Sequence, residues 1–249
     1  MKKKILWLLV CSLLVGLAAL SGCSNGAIRW KEPVVESAVR DYLGKAEGDI
    51  FPEDLAGITS IVLVGDDCSI NQPPDVQTIS ARTGDAILNV ETGACRTSQG
   101  DSPSTLRTLA DFAHFPDLED LHLYDMSFSS LEGVDQLAKS ESLRGLHLCF
   151  NSNLTNLKGL GKLDQLTTLR LVGLPVTDIS ELEKLTGLTT LELSDVPLES
   201  AEPLEELPLE RFLAYQTPAI DWQPVTDIDT LTLYDIRMLD GSSLDFTAE

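Results

Sequence analysis

Four segments of this chain repeat one six-residue pattern, Leu-x-x-Leu-x-Leu, at Leu118-Leu121-Leu123, Leu143-Leu146-Leu148, Leu166-Leu169-Leu171 and Leu188-Leu191-Leu193. Two worn copies follow at Leu209-Phe212-Ala214 and Ile228-Leu231-Leu233. Successive starts lie 25, 23, 22, 21 and 19 residues apart, and fifteen of the eighteen anchors are Leu, so the register is no accident of composition. Alternating apolar positions within each hexad predict a short strand with one buried face. Between hexads the apolar positions recur every three residues, at Leu109-Phe112-Phe115, Leu131-Val134-Leu137, Leu157-Leu160-Leu163 and Ile179-Leu182-Leu185, which predicts a short 3₁₀ arm. A unit of one strand, one turn and one arm cannot bury its apolar side alone and must stack on its neighbours.

This pattern resembles the leucine-rich repeat family, and units of about 22 residues resemble those of the internalins. The resemblance implies an α/β solenoid: an arc with a parallel β-sheet on the concave face and short 3₁₀ or helical arms on the convex face. In internalin-type units the ninth position is usually Asn, whose side chain satisfies backbone groups in the turn. Here it reads Met126, Asn151, Leu174, Val196, Thr217 and Ile236, so a looser turn held by hydrophobic packing is expected. The stretch Lys31 to Gly44 has Pro33 in its first turn, an apolar stripe at Val35, Ala38, Val39, Tyr42 and Leu43, and Gly44 as a C-cap. A second short helix, Pro52 to Ala56, leads into a hexad at Ile58-Ile61-Leu63. Together, residues 31–57 resemble the helical cap that precedes the first repeat of internalin-like proteins.

The repeat domain then runs over residues 58–249, but the starts at Ile58 and Leu118 are 60 residues apart, where one repeat takes about 22. An irregular insertion at 66–104 accounts for the excess. Within it, Val76 to Ala81 and Ala86 to Val90 read as a hairpin around Arg82-Thr83-Gly84-Asp85.

Residues 1–22 read as an address. Lys2, Lys3 and Lys4 precede an apolar run from Ile5 to Leu20, which is shorter than the roughly 20 residues of a membrane-spanning helix and ends in Ser21 and Gly22. The segment Leu20-Ser21-Gly22-Cys23 resembles the lipobox of bacterial lipoproteins. That resemblance implies cleavage before Cys23, a diacylglycerol on its sulfur and a lipid-anchored, extracytoplasmic protein whose residues 23–30 form a short tether.

The chain carries 39 Asp and Glu against 18 Lys and Arg, a formal charge of -21 that becomes -24 once Lys2, Lys3 and Lys4 are removed. Such a surface repels phosphate backbones and excludes nucleic acid as a partner. No phosphate-cradling glycine loop, nucleophile elbow or metalloprotease helix is present, so neither an enzyme nor a bound cofactor is expected. Of the cysteines that remain after processing, Cys68 and Cys95 bracket most of the insertion and are expected to pair, leaving Cys149 as a free thiol.

The face opposite the core carries the candidate binding residues. Aligning the hexads gives one column of His122, His147, Arg170, Glu192, Leu213 and Thr232, and a second of Tyr124, Cys149, Val172, Ser194, Tyr215 and Tyr234. Aromatic and arginine side chains on an exposed surface supply contact area, so Tyr124, Phe150, Arg170, Glu192, Tyr215 and Tyr234 are the expected contacts for a protein or peptide. Arg170 and Glu192 form an exposed cross-strand ion pair in this reading. His122, His147 and Cys149 share the face and are residue types that suit zinc, but no spacing motif supports them, so no metal is assigned. The alternatives to partner recognition are a structural envelope lipoprotein with no specific ligand and, less favoured, a metal-binding protein.

Overall fold

In the computed structural model, which describes residues 26–71 and 104–247, every hexad from the one at Ile58 to the one at Leu209 becomes a strand and its entry. The strands are β1 Ser60–Val64, β2 Asp67–Ile70, β3 Asp120–Tyr124, β4 Gly145–Cys149, β5 Thr168–Val172, β6 Thr190–Ser194, β7 Arg211–Thr217, β8 Leu233–Met238 and β9 Ser243–Thr247. They form one sheet in the order β2-β1-β3-β4-β5-β6-β7-β8-β9. From β1 to β8 all neighbours are parallel, as stacked repeats require, whereas β2 and β9 add one antiparallel strand at each edge. These two edge strands, which the sequence did not announce, cover the end repeats and leave only short edges exposed.

β1 pairs directly with β3, Ile61 opposite Leu121, so the long gap between their hexads adds no repeat to the stack. Of the insertion, β2 returns along β1 as a hairpin; the expected hairpin at 76–90 and Cys95 lie outside the described residues, as do Cys23 and the leader. Whether Cys68 pairs therefore falls outside them too.

All fifteen anchors from Leu118 to Ala214 are fully buried. Burying one such leucine contributes about 1.5–3 kcal/mol, so the stacked hexads are the main source of stability. The opposing layer is built by the arms: 3₁₀ turns Ala110–His114, Leu160–Lys162, Ser180–Lys184 and Glu202–Leu204, and two single helical turns, α2 Val134–Leu137 and α3 Gln223–Thr226. The expected triples point inward from them, and Ala201-Leu204-Leu207 and Trp222-Val225-Ile228 extend the series.

That last triple corrects the register of the final repeat. Ile228 belongs to an arm, not to a hexad. The strand pairing sets Phe212 against Tyr234 and Ala214 against Ile236, so the final hexad is Leu231-Tyr234-Ile236, 22 residues after Leu209. Tyr234 therefore packs against the core rather than lying on the concave face. Asp235 and Arg237 take the column positions assigned to Thr232 and Tyr234.

At the ninth position, Met126, Leu174 and Val196 are buried, and Thr217 is followed by Met238 rather than Ile236. The expected hydrophobic ladder is present. Asn151 replaces it at one turn with a polar bridge between neighbouring units. Its Oδ1 accepts from the Met126 N–H at 2.7 Å and its Nδ2 donates to the Leu123 carbonyl at 3.2 Å.

The N-terminal cap follows the sequence pattern. Helix α1, Pro33–Leu43, buries Val35 and Val39 and ends at Gly44, whose left-handed backbone lets its N–H reach the last turn. A 3₁₀ turn, Pro52–Leu55, follows. Two buried carboxylates lock this cap to the first arm by reciprocal exchange. Asp111 Oδ2 accepts from the N–H groups of Lys31 and Glu32 at 2.8 and 2.7 Å, while Glu32 Oε1 accepts from those of Arg107 and Thr108 at 2.9 and 2.7 Å.

Candidate functional site

The pleat sends alternate residues of β1 to β8 to the concave side, and the parallel pairing lines them into three columns. The first holds Ser60, Asp120, Gly145, Thr168, Thr190 and Arg211. The second holds Val62, His122, His147, Arg170, Glu192, Leu213 and Asp235, and the third holds Val64, Tyr124, Cys149, Val172, Ser194, Tyr215 and Arg237. The chain leaves β1, β3, β4, β5 and β6 through a left-handed step, at Gly65, Asp125, Phe150, Gly173 and Asp195, and Gln216 takes the same step within β7, with φ between 51 and 61°. The N–H of this step donates to the neighbouring strand's last carbonyl, for example Phe150 to Val172 at 2.7 Å and Gly173 to Ser194 at 2.9 Å. One irregular residue per turn thus extends the ladder and sets the rim of the concave face.

Exposure on this face runs against the simple alternation picture. Tyr124 is 1% exposed and Phe150 5%, so neither supplies the open contact area expected of it. They are part of a second apolar cluster with Val62, Val64, Cys149 and Val172, distinct from the main core. Apolar groups gathered at the same end of neighbouring strands bury one another as efficiently as a core does. Tyr215 is only 8% exposed.

The polar groups lie beside this cluster. Arg170 Nε stands 2.9 Å from Glu192 Oε2, with side-chain exposures of 12% and 14%, so the cross-strand ion pair is real but far less solvated than expected. Burial raises the Glu192 carboxyl above its usual range even with the guanidinium beside it. Further along, the Tyr215 hydroxyl donates to Asp235 Oδ2 at 3.1 Å, Arg237 forms a 2.8 Å ion pair with the same carboxylate, and its guanidinium lies 5.3 Å from the Tyr215 ring centre. Burial, and then the Asp235 charge, push the Tyr215 phenol up to about 12, so it keeps the proton that it donates to Asp235. Asp235 and Arg237 escape the column alignment because Ile228-Leu231-Leu233 satisfies the hexad pattern three residues early; the 22-residue period from Leu209 to Leu231 is the signal that finds them.

At the other end, the His122 and His147 rings stack 4.0 Å apart, 15° from parallel. Burial, assisted by the Arg170 charge, lowers His122 to about 4; burial, His122 and Arg170 lower His147 well below its usual value. Both rings are neutral at physiological pH. Their acidic neighbour is Asp120, not Cys149: Asp120, His122 and His147 each bring one donor atom within 4.8 Å of the others. Cys149 is buried among the apolar side chains and is not one of the three. Cys68 is half-buried on β2, where burial would push its thiol, in the unpaired state, up to about 12.

No protein-family model matches the sequence, and neither does any curated protein. Among solved structures, internalin C2 from Listeria monocytogenes aligns over 83% of this chain and 76% of its own with a TM-score of 0.56 and 19% identity. A second internalin of that organism, inlF, aligns over 84% of this chain and 64% of its own, at a TM-score of 0.49 and 22% identity. The first of these likenesses establishes an internalin-like leucine-rich repeat fold.

Proposed function

We propose that this protein is a lipid-anchored, extracytoplasmic receptor or scaffold that captures a protein or extended peptide on the concave sheet by surface recognition, without chemistry. The observation that carries the reading is the concave polar strip from Arg170 and Glu192 to Tyr215, Asp235 and Arg237, held ready by its own hydrogen bonds and ion pairs. It spans β5 to β8, three strand spacings or about 14 Å, which suits an extended chain or a protein surface better than a small metabolite. Arg237 supplies an exposed guanidinium over an aromatic ring, the type of group that dominates many interfaces. The formal charge of -21 favours a neutral or basic partner. Attachment in this reading rests on the lipobox-like Leu20-Ser21-Gly22-Cys23 and its lysine-led apolar run.

Crosslinking on intact cells, with wild-type and Arg237→Ala proteins compared, tests recognition. Capture of one defined species, weakened by the substitution, is expected; capture of nothing above background by either protein would leave the structural-envelope reading in its place. Cys23→Ala tests the anchor. It should release the protein or leave it unprocessed, and a fully processed variant still fractionating with membranes at wild-type levels would refute lipidation.

A further inference from the structure

Directly beside the polar strip, on β3 and β4, the concave face gathers a second constellation that recognition of a peptide does not use. We propose that Asp120, His122 and His147 bind a divalent transition-metal ion, with zinc the best match to two imidazoles and one carboxylate. The three donor atoms lie within 4.8 Å of one another, on two adjacent strands. A tetrahedral zinc site with bonds of about 2.0–2.2 Å separates its donors by roughly 3.3–3.6 Å, so closure requires shifts of about an ångström. All three side chains are half-buried, which leaves room for that movement.

The sheet builds the site for reasons visible in the sequence. Asp120 and His122 are two apart on β3 and so share a face, and His147 is the direct cross-strand partner of His122. Opposite Asp120 the partner is Gly145. A Cβ at Gly145 would fall on Asp120 Oδ1, so the missing side chain is what lets the carboxylate lie across toward β4. His147 Nε2 is 3.5 Å from that same Cβ position, which puts a carboxylate oxygen and an imidazole nitrogen on one small space above Gly145. The Nδ1 atoms of both rings are buried without a hydrogen-bond partner among the described residues, so neither is committed to a protein group there. The same lack of supporting acceptors predicts moderate affinity, on the order of micromolar rather than nanomolar. The neighbouring cation Arg170 is held by Glu192 at 2.9 Å. Three protein donors leave one position of a tetrahedral ion open.

The test is zinc titration of the purified full chain against a chromophoric chelator, with excess magnesium present to occupy the general acidic surface. One zinc per chain is expected, and cobalt in its place should give the absorption bands of a tetrahedral ion. His122→Gln and His147→Gln should each weaken binding at least about tenfold, and Asp120→Asn by less. His114→Gln should change nothing, since the third histidine packs edge-on to Trp30 at 5.9 Å. Equal zinc affinity in wild type and the His122→Gln/His147→Gln double variant overturns the proposal. If that variant fails to fold, imidazole resonances of His122 and His147 that do not respond to zinc in the wild-type protein overturn it equally.

Discussion

The ring of Phe150 occupies the space that a side chain at Gly173 would need: a Cβ there would stand 2.6 Å from Phe150 Cδ1. Both residues take the left-handed step that ends a strand, with φ of 59° and 61°, on neighbouring turns of the arc. A bulky side chain in that conformation is rare, and here the adjacent glycine accommodates it. Gly173→Ala should therefore add both backbone strain and a clash, at about 2–4 kcal/mol. Phe150→Ala alone should cost about 3–5 kcal/mol through the cavity it opens. Combined, the two should cost at least about 1 kcal/mol less than their sum, because the first loses its clash. Strictly additive losses in urea denaturation would contradict the contact.

Leu169 and Leu191 are fully buried at the centre of the stack, whereas Thr168 and Thr190 sit half-buried on the concave side of the same strands. Each Leu→Ala change should cost about 2–5 kcal/mol and each Thr→Ala change less than about 1. Equal costs at both kinds of position would refute the strand register.

The ninth position gives two substitutions of opposite sign. Asn151 satisfies the Met126 N–H and the Leu123 carbonyl, so Asn151→Leu should destabilise by about 1–3 kcal/mol. Thr217 is fully buried and its Oγ1 has no hydrogen-bond partner among the described residues. Thr217→Val keeps the shape, removes the orphaned hydroxyl and should leave stability unchanged or raise it by about 1 kcal/mol. Thermal denaturation of the pair measures both; a loss on Thr217→Val would mean that the hydroxyl is bonded after all.

Glu32 gives the cap a pH dependence. Burial raises its carboxyl above the ordinary 4.5, the Asp111 charge adds to this, and the Arg107 and Thr108 N–H bonds pull the other way without cancelling it. A carboxyl raised in the fold favours the protonated form there, so its contribution is fullest below about pH 4.5 and declines as pH rises through the folded value. Glu32→Gln keeps an oxygen for both N–H groups and removes the charge. It should flatten that part of the pH–stability curve and leave the midpoint at pH 7 equal to or above wild type. Glu32→Ala orphans the two N–H groups and should cost about 1–3 kcal/mol at any pH. A Gln variant as unstable as the Ala variant would show that the charge itself holds the cap.

Most of the arc was legible because a strand and a 3₁₀ arm print different periods, two and three, and the hexads print them repeatedly. The final unit shows where this fails. Arm triples and hexads both begin with a step of three, so Ile228-Leu231-Leu233 satisfies the hexad pattern while belonging half to an arm and half to a strand. Only the 22-residue period separates the two readings. Alternation told which side Tyr124 faces, but exposure depends on what neighbouring strands place beside it, and Cys149, Phe150 and Val172 are themselves apolar. Choosing Asp120 over Cys149 as the third partner of the histidines depends on side-chain reach across Gly145, which column alignment does not encode. Glu32 and Asp111 look in the sequence like any two of 39 acids. Their role exists only once the cap meets the first arm.

The corrected register exchanges the faces of Tyr234 and Arg237, turning the first to the core and the second to the concave side. Tyr234 packs against the core from β8, so Tyr234→Ala should lower thermal stability and leave partner affinity alone once the protein is folded. Arg237, with 62% of its side chain exposed over the Tyr215 ring, should behave in the opposite way. Its replacement by Ala should leave stability within about 0.5 kcal/mol of wild type and weaken partner capture by more than about 1 kcal/mol. Because the lost group is a charge at the edge of the surface, the difference between Arg237→Ala and wild type should shrink as salt is added. Arg170 sits deeper, paired with Glu192, so Arg170→Ala should weaken capture by a margin that salt does not erase and should also destabilise, since it leaves a half-buried carboxylate without its partner. Capture that responds to Tyr234→Ala in a fully folded protein, and not to Arg237→Ala, would place the recognition surface on the wrong side of the sheet.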